Sequence, residues 1–236
     1  MSRAAADLVI EQVKRKPNSL ICFPSGDSPA GMFKYLVADA QEGKIDFSQC
    51  YFVGLDEWVG MGKDEDGSCT NFLYGHFFTP LQIKPDKVNF FNAKADDLDA
   101  SCKAMDDFIS QHGPLDIMIV GIGMNGHIGL NEPGTNFNLY AHHSPLDRVT
   151  ISVGQKYFKQ QTTLNKGITL GLKYLQEAKI PVLIASDNKK AGIIVQALQG
   201  EVNNQLPASI FQMLPSAVVI LDDAAASGLE MRNGNL

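Results

Sequence analysis

The chain has 236 residues, 44% hydrophobic and 19% charged, with a net charge of −6. That length suits one large domain or two small ones. The acidic balance argues against a nucleic-acid partner, because no basic stripe is available to neutralise phosphates, but a few local donors would suffice for one small anion.

In chain order, "MSRAAADLVIEQVKRKP" reads as an amphipathic helix with Val9, Ile10 and Val13 on one side, and not as a signal peptide. Apolar strand-like runs follow at 19–25, 50–55, 87–92, 115–123, 148–153, 179–186 and 217–223. Between them, residues 29–42, 96–112 and 187–199 carry apolar positions at helical spacing. Continuous apolar strands alternating with helices predict an α/β, Rossmann-like fold, a mostly parallel sheet with helices on both faces. No repeat and no linker rich in Pro, Gly or Ser divides the chain, so a single domain over 1–236 is expected. Runs such as "IPVLIAS" are far short of a bilayer span, so no membrane partner is expected.

Cys22, Cys50, Cys69 and Cys102 form no C-x-x-C pair. Cys22 and Cys50 lie in or beside apolar strand-like runs and read as reduced, buried thiols, and the set together suggests a reducing cytoplasm. Only the adjacent His142 and His143 approach a metal-ligand spacing, and no metal site is expected.

In an open α/β sheet, ligands bind beyond the carboxyl ends of the strands. Three predicted strand ends carry unusual residues. "FPSGDSPAG" (23–31) is a Ser/Gly turn into a helix that Pro29 could start, and Ser25, Gly26 and Ser28 would offer donors to an anion. Asp27 conflicts with that reading unless it points away, caps the helix or holds another group. "VGLDEWVGM" (53–61) places Asp56 and Glu57 after a strand, either one a candidate general base, with Trp58 more suited to core packing than to a pocket wall. "GIGMNGHIGLNEPG" (121–134) supplies His127 and, five residues on, Glu132, a carboxylate able to accept the imidazole Nδ1–H and fix its tautomer. Its G-x-G-x-x-G spacing is a poor dinucleotide fingerprint, because it does not open the fold and lacks the acid at a second strand end.

Together, "LDEW", "GIGMNGHIGLNEPG" and "GITLGL" (167–172) resemble the glucosamine-6-phosphate deaminase (isomerase) family over roughly residues 5–225. The string "NGHIGLNEP" separates this resemblance from the related 6-phosphogluconolactonases. The resemblance implies conversion of a hexosamine 6-phosphate, glucosamine or galactosamine, to fructose or tagatose 6-phosphate plus ammonia, without a cofactor. It assigns ring opening to His127 with Asn125 and Glu132, and the C2-to-C1 proton transfer to Asp56. It maps the phosphate cations to Lys156 in "QKYF" and Lys190 in "DNKKAG", with Lys189 as the neighbour should the register differ by one. Many members carry Asp where this chain has Asn125, and Lys156 stands where an Arg is common, giving a point charge in place of a fork. "AHHSP" (141–145) occupies the positions where regulated members carry basic effector contacts. "LDEWV", "GSCTNFL" and "KGITLGLKYL" look closer to the galactosamine-6-phosphate isomerase branch. The rival readings are a lactonase, which needs only water activated by His127, and a non-catalytic sugar-phosphate-sensing domain. Oligomeric state is left open, a homo-oligomer included, and the segment 135–165 is the expected mobile cover.

Overall fold

The computed structural model describes residues 1–230. In chain order the elements are α1 (Ser2–Arg15), β1 (Leu20–Phe23), α2 (Asp27–Gln41), β2 (Tyr51–Gly54), β3 (Asp56–Trp58), α3 (Cys69–Leu73), β4 (Val88–Asn89), α4 (Leu98–His112) and β5 (Ile117–Val120). There follow β6 (His142–Pro145), α5 (Arg148–Gly154), β7 (Lys166–Thr169), α6 (Leu172–Glu177), β8 (Ile180–Ala185), α7 (Ala191–Gln199), β9 (Val218–Leu221) and α8 (Asp223–Ala226).

Six strands form a parallel sheet in the order β4-β2-β1-β5-β8-β9. The central strands are apolar throughout because both sheet faces are covered. Their period of two divides them between two cores. Leu20, Cys22, Met118, Val120, Leu183 and Ala185 face the side covered by α4, α6 and α7. Ile21, Phe23, Ile117, Ile119, Val182 and Ile184 face α1, α2 and a cluster of phenylalanines that includes Phe33, Phe52 and Phe77. The chain runs outward from β1 to β2 and β4, then returns to the other side of β1 at β5. That reversal opens a crevice beyond the carboxyl ends of β1 and β5, the place where such sheets bind ligands.

A second sheet, antiparallel and ordered β3-β7-β6, lies outside the sequence expectation. It aligns Asp56 and His142 with Thr169 of the middle strand. The run at 148–153, expected as a strand, is the helix α5. Asp147 caps it by accepting the Val149 N–H at 2.8 Å. The burial there is helical: Thr150 and Gly154 are buried, while Val149 and Val153 face solvent. The β-branched residues favour a strand only weakly, and the cap together with this packing overrides them. Of the expected strand at 87–92, only Val88–Asn89 enters the ladder. Among the described residues no helix is long and apolar enough to cross a membrane, and all four cysteines are free and buried.

Candidate active site

The loops leaving β1, β2, β5 and β8 meet α5 around one cavity of about 360 Å³. Seven of the nine candidate residues line it: Ser25, Gly26, Ser28, Asp56, His127, Lys156 and Lys190. Asn125 and Glu132 stand behind His127, outside the lining. Lys189 lines a separate groove, whereas Lys190 lines this cavity. Trp58 serves in both ways, packed with Leu130 and Leu164 and also walling the cavity.

Strand alternation sends the two adjacent acids in opposite directions. Asp56 lines the cavity, and burial first, then the neighbouring charge of Glu57, pushes its carboxyl up to about 7. A hydrogen bond with Cys69 partly offsets this. Glu57 is buried and accepts four hydrogen bonds: from the N–H groups of Trp58 (2.9 Å), Cys69 (3.0 Å) and Thr70 (2.9 Å) and from the Ser68 hydroxyl (2.6 Å). It therefore anchors the start of α3, and of the two adjacent acids Asp56 is the one that lines the cavity.

Across the cavity, the imidazole of His127 packs over Gly123, where a Cβ would lie 2.4 Å from the ring. Glycine is required there by close approach. The expected interaction of Glu132 with the imidazole is largely indirect. Nδ1 is 3.5 Å from Glu132 Oε2 but 2.8 Å from the hydroxyl of Thr150, which in turn donates to Glu132 Oε2 at 3.0 Å. The Asn125 amide donates to Glu132 Oε2 (3.1 Å) and to Asp147 Oδ1 (3.2 Å), while its Oδ1 accepts the His127 backbone N–H (3.2 Å). Burial pushes the Glu132 carboxyl up, but His127, Thr150 and Asn125 together outweigh it and hold the group below its ordinary value. Thr150 and Asp147 were missed in the sequence because they lie in and beside the run read as a strand.

The anion-facing side is built on the turn after β1. Gly26 takes φ +113° at the start of α2, leaving the helix N-terminus open beside Ser25 and Ser28. Ser28 Oγ lies 3.3 Å from Ser186 Oγ, at the end of β8. Lys190 donates to the Ile122 carbonyl at 2.6 Å; burial, then the nearby Lys156, pushes its ammonium pKa down. Asp27, exposed at the edge of the same cavity, accepts from Lys156 at 2.5 Å and does not cap the helix. Burial lowers the Lys156 pKa, but Asp27 and Tyr157 together outweigh it and the group is raised overall. Among the described residues no cluster of three or more His, Cys, Asp or Glu side chains is placed to hold a metal ion.

A family model described as glucosamine-6-phosphate isomerases/6-phosphogluconolactonase matches residues 1–219. The chain belongs to this family of enzymes. Within the family it is 36% identical to a glucosamine-6-phosphate deaminase of Thermoanaerobacter pseudethanolicus over 228 residues, covering 96% of this chain and 90% of the relative. It is 35% identical to the glucosamine-6-phosphate deaminase of Clostridium novyi, covering 97% and 95% of the two chains. The solved structure of a monomeric glucosamine-6-phosphate deaminase superposes with a TM-score of 0.93 at 30% identity, covering 97% of this chain and 95% of that one.

Proposed function

We propose that this chain converts a hexosamine 6-phosphate and water to the corresponding ketose 6-phosphate and ammonia. The observation that carries the reading is that a carboxyl poised near 7, Asp56, and a supported imidazole, His127, line the same cavity as Lys156, Lys190 and the helix turn at Ser25–Gly26–Ser28. Two separate acid/base groups on one cavity suit a reaction with two distinct proton movements. A lactone hydrolysis needs only one, so Asp56 favours the deaminase reading over the lactonase.

In this reading, Lys156, Lys190 and the turn donors hold the phosphate and set the sugar's orientation. His127 takes the proton from O1 and returns one to O5, opening the ring to the aldehyde. Asp56, ionised, removes the C2 proton while O1 gains the proton that the substrate ammonium gives up, forming the enolamine. Asp56 then delivers its proton to C1, leaving an iminium at C2. Water adds to C2, the C2–N bond breaks and ammonia leaves, giving the ketose. Glu132, with Asn125 behind it, supports the imidazolium that His127 forms in passing. The four free, buried cysteines support a reducing, cytoplasmic setting.

Glucosamine and galactosamine 6-phosphates differ only at C4, and one hydrogen-bonding partner is enough to discriminate a hydroxyl. Purified protein is to be incubated with each sugar at neutral pH while ammonia and ketose phosphate are measured. Release from at least one is expected, and the ratio of the two rates assigns the branch. Release from neither overturns the proposal.

A further inference from the structure

The hydrogen bonds around Thr150 favour one placement for the imidazole proton. Its Oγ1 lies 2.8 Å from His127 Nδ1 and 3.0 Å from Glu132 Oε2, and the residue is 3% exposed. Water has little access to supply an alternative partner. Glu132 is held ionised by its neighbours, so its Oε2 only accepts. The threonine has a single hydroxyl proton, and the bond to Glu132 uses it. Toward His127 the oxygen is then an acceptor, so Nδ1 carries the hydrogen. Asn125 offers no competing arrangement: its amide donates to Glu132, to Asp147 and, at 3.4 Å, to Thr150 Oγ1, and its oxygen accepts the His127 backbone N–H. At Thr150 the amide meets a lone pair and leaves the threonine proton free for Glu132. In the neutral ring, Nε2 is therefore bare, and it is one of the ring atoms lying over Gly123 at the cavity wall.

We propose that Thr150 is a positioning residue whose hydroxyl bridges His127 to Glu132, fixes the Nδ1–H tautomer and presents a bare Nε2 to the cavity. Glu132 thus acts on the imidazole through a hydroxyl as well as by its charge at 3.5 Å. The kinetic consequence rests on the deaminase reading, because a bare Nε2 is the form that can take a proton from the sugar O1. The tautomer itself does not depend on that reading.

The test is imidazole 15N NMR on the intact protein, with steady-state kinetics, for the wild type, Thr150→Val and Thr150→Ser. The wild-type ring is expected as the Nδ1–H tautomer. Thr150→Val removes the hydroxyl at nearly constant volume, so the Nε2–H form should become populated. Its kcat should fall roughly 10- to 100-fold, within the about 10²–10⁴-fold range of positioned proton transfer. KM should stay within about twofold, because phosphate recognition lies elsewhere. Thr150→Ser restores the hydroxyl without the methyl group and should recover both the tautomer and most of kcat. A wild-type Nε2–H tautomer overturns the proposal, even if the valine variant does not fold. So does a valine variant that keeps the Nδ1–H form, or a serine variant as impaired as the valine one, which would mark a packing role. Failure of the wild type to release ammonia would instead count against the deaminase reading, with the tautomer result still deciding the role of Thr150.

Discussion

Replacing Asp56 by Asn should abolish turnover and yet stabilise the fold, and the stabilisation should depend on pH. Burial and the charge of Glu57 lift the Asp56 carboxyl from 3.8 to about 7 in the folded chain. Between these values the folded protein holds the proton and the unfolded chain does not, so stability falls as pH rises through this window. At about 1.36 kcal/mol per pH unit, the cost is roughly 1–2 kcal/mol at about pH 5 and roughly 4 kcal/mol at about pH 8. Asn keeps the shape and has no charge to desolvate, so the variant escapes this cost. Packing or hydrogen bonding that the amide fails to reproduce is the same at both pH values and cancels in the difference between them. The gap in stability between variant and wild type should therefore widen by roughly 2–3 kcal/mol from about pH 5 to about pH 8. For a chain of this size that is a change of about 5–10 °C in the difference between their midpoints. Thermal unfolding at both pH values, paired with measurement of C2–H exchange, checks both halves. A gap that does not widen with pH would refute the electrostatic account, and undiminished exchange would place the base elsewhere.

Glu57→Gln sets an amide NH₂ against N–H and O–H donors, so it should cost about 2–5 kcal/mol in denaturant unfolding. It should also move the acidic limb of kcat/KM to lower pH, and an unmoved limb would remove Glu57 as a cause of the raised Asp56 value. Lys190→Ala should raise KM for the phosphorylated sugar roughly 10- to 100-fold, and an unchanged KM would dismiss Lys190 from the phosphate site. Asp27→Asn releases Lys156 from an exposed ion pair worth less than about 1 kcal/mol; melting should barely change, while phosphate should bind more tightly in calorimetry at low salt. Weaker binding would show that Asp27 orients Lys156 and does not compete for it. Gly123→Ala places a Cβ 2.4 Å from the His127 ring; turnover should fall by about 10²-fold or more with phosphate-analogue binding retained, and wild-type kcat would show that the ring position is not critical.

The sheet and its rim were legible because parallel strands buried on both faces read as unbroken apolar runs. "SLICFPS", "CYFVGL" and "LDIMIVGIG" all contribute strands, and the topological reversal at β1 brings their ends together. The small antiparallel sheet was not legible, since β3, β6 and β7 have only three or four residues each and no clear alternation. Helix α5 was misread because Val149, Ile151 and Val153 favour strand; Asp147 was the available signal, an acid placed where a helix cap belongs. Thr150 could not be inferred from local pattern. It meets His127 and Glu132 across 23 and 18 residues of chain, and only the folding of α5 against the β5 loop brings them together. By residue type alone the two acids at 56 and 57 were alternative bases, and only the family resemblance singled out Asp56. Their division into one cavity carboxyl and one helix anchor comes from the pleat of β3 together with the donors that α3 supplies.

The carboxyls of the site are pushed in opposite directions by burial of different kinds. Asp56 is desolvated beside a like charge, whereas Glu132 is desolvated among donors and stays ionised. This division accounts for Asn125, whose neutrality departs from the common Asp. Its amide lies between Glu132 and Asp147 and donates to both. An aspartate there would bring a third negative charge against two others and remove the hydrogens that bridge them. It would also lose the amide donation that keeps Glu132 low. Where Asp147 occupies this corner, neutral Asn is the residue that lets Glu132 keep its charge, and that charge reaches the imidazole directly and through Thr150. Asn125 is thus part of the support for His127 because it does not ionise.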